Sequence, residues 1–296
     1  MLNVVNDKIC ILIKTFERKG SLIRLLRSLE RAGCKLSILI ADDSRCPYQE
    51  EITRHFPSLD ITYHTLPFDS GLSAGRNYLL EKTTTPFFLL FDDDFAWNKK
   101  TDLAAALETM EEQQLDIGGG TFQNLLSANN IKRLAHLLLN PVLAWHYFNQ
   151  VPDESSHIGN FVIEGVTCTL RISNSQPPSQ LPCPCDLVNN FFIGRTASIR
   201  KMDAWDENLK VGEHEDFFLR AKLNGLRTAF LPGFVIKHYP VADKNYLAFR
   251  ERAVAFKTQF IRKSGFSSYR EVNTDDGKII FEYDVKNPKR LFREHK

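Results

Sequence analysis

The chain has 296 residues, with 38 Lys plus Arg against 36 Asp plus Glu, and six cysteines. That length buries a sizeable core as one large α/β domain or two smaller ones, and the balanced charge carries no electrostatic footprint for nucleic acid. No apolar run is long enough to cross a bilayer, the N-terminus lacks a signal-peptide core, and the scattered cysteines read as reduced thiols, so a cytoplasmic protein is expected.

Taken in order, Ile9, Ile11, Leu12 and Ile13 predict a buried strand over 8–14 that ends at Thr15-Phe16-Glu17-Arg18. Leu22, Leu25, Leu26 and Leu29 then fall at i, i+3, i+4 and i+7, the face of an amphipathic helix that starts near Ser21 and stops at Gly33. A strand over 36–41 ends at Asp42-Asp43-Ser44. A helix over 50–56, a strand over 61–64 and a helix after Gly71 follow. Next comes Phe87-Phe88-Leu89-Leu90-Phe91, an uninterrupted apolar run that leads into Asp92-Asp93-Asp94 and reads as a strand buried on both faces. Strand–helix alternation with short links predicts an α/β fold with a mainly parallel sheet and right-handed crossovers.

Beyond the acids, a helix over 103–115 precedes Gly118-Gly119-Gly120, a short strand broken by glycines where backbone approaches something closely. The 125–148 stretch mixes apolar residues with Lys132, Arg133, His136, Trp145 and His146, the histidines reading as surface or packing residues. Residues 160–172 alternate like strands, and the Ser/Pro/Gln-rich 174–184 loop is the candidate mobile lid. A strand over 185–195, a turn over 205–209 and a helix opening at Gly212-Glu213-His214-Glu215-Asp216 lead to two strands, 228–231 and 233–236. Acids in a first helical turn can simply cap it, but three acids and a histidine in four positions exceed that need. A helix over 246–264 and a basic end over 286–296 close the chain. That end reads as a solvated tail, with weak contact to an anionic membrane surface as the minority reading. The organisation expected is one domain over 1–240, with a nucleotide half at about 8–95 and an acceptor half at about 96–240, then a helical and basic extension over 241–296.

Parallel strands share a direction, so their polar ends line one crevice, where ligands of such sheets bind. Three adjacent carboxylates there repel one another and are costly to desolvate, so a positive group is expected to join them. The simplest is a hard divalent cation, Mg²⁺ or Mn²⁺, sharing its coordination with water and phosphate oxygens, which makes this a nucleotide-diphosphate site. Gly71 to Asn77 can bring backbone N–H groups and Arg76 to an anion, though helix packing or a turn explains it equally well.

In this order the residues resemble the GT-A glycosyltransferases, within them the family 2-like inverting enzymes, and in particular the β1,4-N-acetylgalactosaminyltransferases of the ganglioside-synthase type. The resemblance rests on Ile40-Ala41-Asp42-Asp43-Ser44, Leu66-Pro67-Phe68 with Gly71 and Ala74-Gly75-Arg76-Asn77, and Asp92-Asp93-Asp94-Phe95. It continues through Leu115-Asp116 with Gly118-Gly119, Val188-Asn189-Asn190-Phe191-Phe192 with Arg195, His214-Glu215-Asp216-Phe217-Phe218, and His238, covering about 9–239.

The resemblance implies a single-domain GT-A (Rossmann-like) fold, a UDP-sugar donor, and Mn²⁺ or Mg²⁺ held by a D-x-D element, Asp92 and Asp94, with His238 as a further ligand. Asp42 would bind the uridine, Thr15 and Glu17 would sit beside it, Arg76 would contact base or phosphate, and Asp92 and Asp93 complete the nucleotide site. Asp216 matches the catalytic base, with the adjacent Glu215 as its competitor. Asn189 or Asn190 could bond a sugar hydroxyl or the backbone. The implied activity is metal-dependent transfer of a hexosyl group, an N-acetylhexosamine such as GalNAc, to a hydroxyl of a glycan or glycolipid. Its expected location, in the cytoplasm or peripherally at the inner membrane face, comes from the sequence and departs from the secretory, membrane-anchored ganglioside enzymes. Two other readings compete. A sugar-nucleotide pyrophosphorylase would carry a glycine-rich basic loop where this chain has Thr15-Phe16-Glu17-Arg18, and a silent sugar-nucleotide-binding protein would keep the fold without turnover.

Overall fold

The computed structural model describes residues 7–125, 140–142, 145, 153–175, 181–240 and 252–285. β1 (Ile9–Thr15), β2 (Ile38–Asp42), β3 (Ile61–Thr65) and β4 (Phe87–Asp92) pair in parallel in the order β4-β1-β2-β3, joined by α1 (Lys19–Arg31), α2 (Gln49–His55) and α3 (Leu72–Lys82). The side-chain period of two splits each central strand between two cores. Phe87, Leu89 and Phe91 join Leu22, Leu25 and Leu29 of α1 on one face, while Phe88 and Leu90 join Leu79 and Leu80 of α3 on the other.

The second half extends the sheet with a change of direction. β5 (Phe95–Ala96), α4 (Leu103–Glu112) and β6 (Ile117–Asn124) come first, and β7 (Asp153–Ser155) pairs with β6. β11 (Phe192–Arg195) lies antiparallel between β4 and β6, and β12 (Thr228–His238) pairs parallel with β6. β10 (Cys183–Pro184) closes the edge against β12. A sheet expected to be mainly parallel is thus parallel through its first four strands and mixed beyond them. The strand expected over 185–195 shortens to β11, because Asn189 leaves the ladder and donates from Nδ2 to the carbonyls of Gly120 (3.1 Å) and Ser155 (3.0 Å).

The three glycines do not break β6, which runs for eight residues. They let other side chains touch its backbone: a Cβ on Gly119 would strike Val188, and one on Gly120 would strike the Phe234 carbonyl and the Phe191 ring. The two strands expected at 228–236 are one strand, with a register shift between Phe230 and Val235 that takes up Pro232 and Gly233, the latter at φ +80°.

A second sheet, of four strands, was legible in the sequence only in part. β8 (Ile158–Glu164) and β9 (Thr167–Ser173) match the expected alternation, but β13 (Ser268–Asn273) and β14 (Ile279–Asp284) form a hairpin inside the stretch read as a helical extension. β13 joins β9 in parallel across about a hundred residues. This sheet, with α5 (Thr196–Lys201), α6 (His214–Leu223) and α7 (Ala253–Lys263), covers the α3 face of the main sheet, and Phe217, Phe218, Phe260, Tyr269 and Phe281 fill the space between. All six cysteines are free. Lys132, Arg133, His136 and His146 of the 125–148 stretch, the centre of the 174–184 loop, the start of the 246–264 helix and the basic end over 286–296 lie outside the described residues. No described helix is long and apolar enough to cross a membrane.

Gly120→Ala is expected to destabilise the fold by about 1–3 kcal/mol through overpacking against Phe234 and Phe191. The denaturation midpoint checks this, and an unchanged midpoint would show that β6 can move away from its neighbours.

Candidate active site

Strand direction assembles the site. β4, β6 and β12 run the same way with β11 reversed among them, so the carboxyl end of β12 reaches the edge where β1, β2 and β4 end. Antiparallel pairing of Phe95 with His238, and a hydrogen bond from the Tyr239 N–H to the Asp94 carbonyl (2.9 Å), then set Asp94 beside His238 although 144 residues separate them. A cleft of about 610 Å³ opens here, lined by Lys14, Asp92, Asp94 and His238 from the ends of the main-sheet strands and by Asn190, His214, Glu215 and Lys257 from the loop before β11 and from α6 and α7.

The three aspartates meet two arginines. Arg76, fully buried, donates from Nη2 to Asp92 (3.0 Å) and from Nη1 to Glu213 (2.6 Å), with its guanidinium 5.7 Å from the centre of the Trp205 ring. Arg18, in the turn after β1, is paired with Asp93 and donates to Asp94 (2.8 Å). Thr15 donates its hydroxyl proton to the other Asp93 oxygen (2.7 Å). Burial drives Asp93 up, and Arg18 offsets this only in part; Asp94 stays low because Arg18 and His238 outweigh its burial. The positive group demanded by three adjacent acids is therefore supplied in large part by the chain itself.

The donor set still fits a divalent ion at Asp94 and His238. His238 Nδ1 lies 2.7 Å from Asn124 Oδ1; with the proton on Nδ1, Nε2 presents a lone pair to Asp94 Oδ2 at 3.6 Å. The two atoms are close enough to share a divalent ion, which would compete with Arg18 for the same Asp94 oxygen. Asp92, the third expected ligand, turns to Arg76, and among the described residues no three His, Cys, Asp or Glu side chains gather round one point.

The other expected residues lie behind the cleft. Asp42 is fully buried and accepts from the Ser44 N–H (2.8 Å), the Tyr63 hydroxyl (2.5 Å) and the Tyr48 N–H (3.3 Å), which fixes the loop after β2. Glu17, at φ +54°, accepts from the Arg45 N–H (2.8 Å) and donates its own N–H to Ser44 Oγ (2.7 Å). With Thr15 these residues knit the ends of β1 and β2 together. The Gly71–Asn77 stretch that opens α3 also serves the fold, since the Gly71 N–H is committed to Asp43 (2.8 Å) and Asn77 to Trp205 (2.7 and 3.0 Å).

Asp216 does not reach the cleft. Its carboxylate accepts from Arg220 Nε one helical turn on (2.8 Å) and from Lys263 Nζ (3.3 Å). Successive side chains on α6 diverge by about 100°, so only some of the opening residues can face one way, and His214 and Glu215 line the cleft. Glu215 accepts from Lys257 Nζ (3.1 Å), which also pairs with Glu271 of β13, whose Oε1 accepts from the Tyr269 hydroxyl (2.9 Å). Burial alone would raise Glu215, but Lys257 and then His214 outweigh it and hold the carboxylate low. Burial would lower Lys257, yet Glu215 and Glu271 push it up to about 12. Burial raises Glu213 against the pull of Arg76. It also pushes His214 down to about 3, so this imidazole is neutral across the physiological range.

Lys257, Glu271 and His157 were not legible as site residues, because nothing in their local sequence marks them and tertiary pairing alone brings them here. Arg18 stood in the strand-end motif without a role.

A central sheet with its polar edge turned to such a cleft is the architecture of the GT-A glycosyltransferases. The sequence pattern of glycosyl transferase family 2 matches residues 10–166, more than half of the chain, and the chain belongs to that family. It is 28% identical over 239 residues to beta-1,4 N-acetylgalactosaminyltransferase 2 of Mus musculus, covering 79% of this chain and 40% of that protein. Against beta-1,4 N-acetylgalactosaminyltransferase 1 of Homo sapiens the identity is 27% over 239 residues, covering 79% and 39%. The chain thus spans about two fifths of the length of these curated relatives. Among solved structures, S. aureus TarS 1-349 in complex with UDP-GlcNAc superposes with a TM-score of 0.53 at 18% identity, covering 86% of this chain and 71% of that one. GalNAc-T7 with UDP, GalNAc and Mn2+ gives 0.56 at 11% identity, covering 81% and 45%. At these identities the two structures share the fold with this chain.

Arg18→Met would leave Asp93 and Asp94 uncompensated, and the expected loss of stability is about 3–5 kcal/mol. Mn²⁺ should restore part of it, so the variant's melting temperature should rise more with Mn²⁺ than that of the wild type. Equal response of the two proteins would count against a divalent site at this edge.

Proposed function

We propose that the chain is a metal-dependent inverting glycosyltransferase that moves an N-acetylhexosamine, GalNAc foremost, from its UDP-sugar to a hydroxyl of a glycan or glycolipid. The observation that carries this reading is one cleft lined by two unlike groups: Asp92, Asp94 and His238 at the strand ends, and the His214 imidazole with the Glu215 carboxylate at the start of α6. The choice of donor is supported by the names of the curated relatives and by fold neighbours solved with UDP-GlcNAc and with UDP, GalNAc and Mn2+.

Mn²⁺ or Mg²⁺ would be held by Asp94 and His238 with Asp92 beside them, and when bound it supplies positive charge for the diphosphate. Arg76 ties Asp92 to Glu213, which fixes the distance between the aspartate edge and the start of α6. The uridine would lie over the ends of β1 and β2, whose loops Thr15, Glu17 and Asp42 hold in place from behind. The acceptor hydroxyl enters from the α6 side and bonds to the anomeric carbon while the bond from that carbon to the phosphate oxygen breaks on the opposite face, so configuration inverts. UDP leaves with the electron pair, and the hydroxyl proton passes to a group at the start of α6. Asp216 is committed to Arg220 and Lys263, which leaves His214 and Glu215 for that role.

UDP release from a panel of UDP-sugars, with Mn²⁺ and with EDTA, tests the reading. One UDP-N-acetylhexosamine should turn over, and only with metal. Asp94→Asn should lose the Mn²⁺-dependent part of UDP binding. A wild-type protein that binds UDP yet releases none from any donor would be a silent nucleotide-sugar-binding protein instead.

A further inference from the structure

Two imidazoles stand together on the acceptor side of the cleft, His157 from the turn before β8 and His214 from the start of α6. Their rings lie 6.0 Å apart between centroids, tilted by 44°, and both line the open space. Each is tied at the same atom to the same kind of partner. His214 Nδ1 lies 2.7 Å from Asn190 Oδ1 and His157 Nδ1 lies 3.3 Å from Asn174 Oδ1, and because an amide oxygen can only accept, each ring carries its proton on Nδ1. Each Nε2 is then a lone pair with no hydrogen-bond partner among the described residues, and neither is among the unpaired polar atoms sealed inside the protein.

The chain is built to hold this pair. His157 sits at φ +38°, a left-handed conformation that side chains rarely adopt, and its turn is pinned on both sides. Asn189 Nδ2 donates to the Ser155 carbonyl (3.0 Å), and the Ser156 N–H donates to the Asn174 carbonyl (3.1 Å). Asn174 is held in turn by Asp275 between β13 and β14, whose carboxylate accepts from the Asn174 N–H (2.8 Å) and the Ser173 hydroxyl (2.7 Å). Phe218 packs edge-on against the His214 ring at 5.0 Å between centroids. Neither ring is placed to take a proton. Burial lowers both below the ordinary histidine range and outweighs the Glu215 carboxylate beside them, while Lys257 faces both rings and Arg76 faces His214. A ring that stays neutral with its Nδ1 proton committed is a hydrogen-bond acceptor.

We propose that His157 Nε2 and His214 Nε2 are the recognition atoms of the acceptor subsite, each accepting a hydrogen bond from a hydroxyl of one neutral sugar ring, and that neither hydroxyl is the one that reacts. The inference rests on the glycosyltransferase reading and deepens it by naming what the acceptor presents. A hydroxyl has one proton to donate, so two lone pairs need two hydroxyls, and rings this close can be met by two on one sugar. Asn190 Nδ2 has no partner among the described residues and borders the same space, so it supplies donors for the oxygen of one of them. A carboxylate or phosphate here would meet two lone pairs with no proton to give, beside a Glu215 anion fixed by Lys257 (3.1 Å). The subsite therefore selects an uncharged, hydroxyl-bearing group and rejects an anionic one. With His214 in this role, the reacting proton is left to Glu215.

The test follows UDP release, with Mn²⁺, from the UDP-sugar that turns over in the panel. The acceptors added are the methyl glycosides of galactose, glucose and N-acetylglucosamine, and their monodeoxy analogues. One glycoside should raise release above the rate with water alone. Deleting either of two of its hydroxyls, neither of them the reacting one, should cost about 10-fold in kcat/KM. An Asn side chain reproduces the Nδ1 end of a histidine and tolerates left-handed backbone, whereas Gln reaches to where Nε2 stood. His157→Asn and His214→Asn should each lower kcat/KM for that glycoside about 10-fold, carried by KM rather than kcat, with UDP affinity retained as the check on folding. His157→Gln and His214→Gln should recover most of the loss. In each Asn variant one monodeoxy analogue should turn over no worse than its parent glycoside, because the hydroxyl it lacks no longer has a partner. A ring that serves only the fold would slow parent and analogues by the same factor. Three results overturn the inference while the transferase reading stands: a wild type whose UDP release no glycoside accelerates, one indifferent to loss of every non-reacting hydroxyl, or Asn variants whose losses add to those of the analogues. Absence of UDP release by the wild type from every donor overturns the transferase reading itself.

Discussion

Compensation of the three aspartates at the end of β4 is the constraint on which the rest of the site depends. A strand of five buried apolar residues delivers Asp92, Asp93 and Asp94 to a poorly solvated edge, where uncompensated carboxylates would be prohibitively unstable. Arg18 arrives from the turn after β1 and Arg76 from α3, so the same two side chains that neutralise the acids also tie three elements of the first half together. Arg76 goes further and grips Glu213 at the start of α6. The distance between the aspartate edge and the start of α6 is thereby set by one fully buried guanidinium, whose planar fork holds two carboxylates in a fixed relation.

The second sheet gives the α6 side of the cleft its rigidity. β13 carries Glu271 into the space under α6 and α7, where it holds Lys257, and Lys257 in turn holds Glu215. Two carboxylates from distant parts of the chain share one buried ammonium, an arrangement that tolerates little displacement because losing any member leaves a charge unpaired. The hairpin read as an extension is therefore part of the cleft's support. Its hydrophobic contact with the main body, through Phe260, Tyr269 and Phe281, packs against the charged network and holds it in place.

The metal question follows from the same bookkeeping of charge. Three acids on paper demand a cation, but in the fold two arginines answer most of that demand and leave Asp94 and His238 as the pair with room for an ion. The strand-end motif thus has two roles at once: Asp93 is a structural anion locked to Thr15 and Arg18, whereas Asp92 and Asp94 open onto the cleft.

The sequence by itself determined the first half of the molecule. The apolar runs, the i, i+3, i+4, i+7 leucines of α1 and the turn signals between them are local properties, and β1 to β4 with their helices follow within a few residues. It also showed where chemistry would gather, because acids after a doubly buried strand have no other economical place. The hairpin β13–β14 carried a signal as well, Asp275-Asp276-Gly277 between the alternations Tyr269/Glu271 and Phe281/Tyr283, masked by charged neighbours. Only the tertiary structure decided which polar groups face the cleft. Helical rotation turns Asp216 away and His214 toward it, strand pairing brings His238 to Asp94, and Lys257 meets Glu215 across a packed helix interface. Each of these joins residues through directions in space that neither spacing nor composition encodes, which is why the crevice and its acidic edge were legible while the side chains facing it from α6 and α7 were legible only in part.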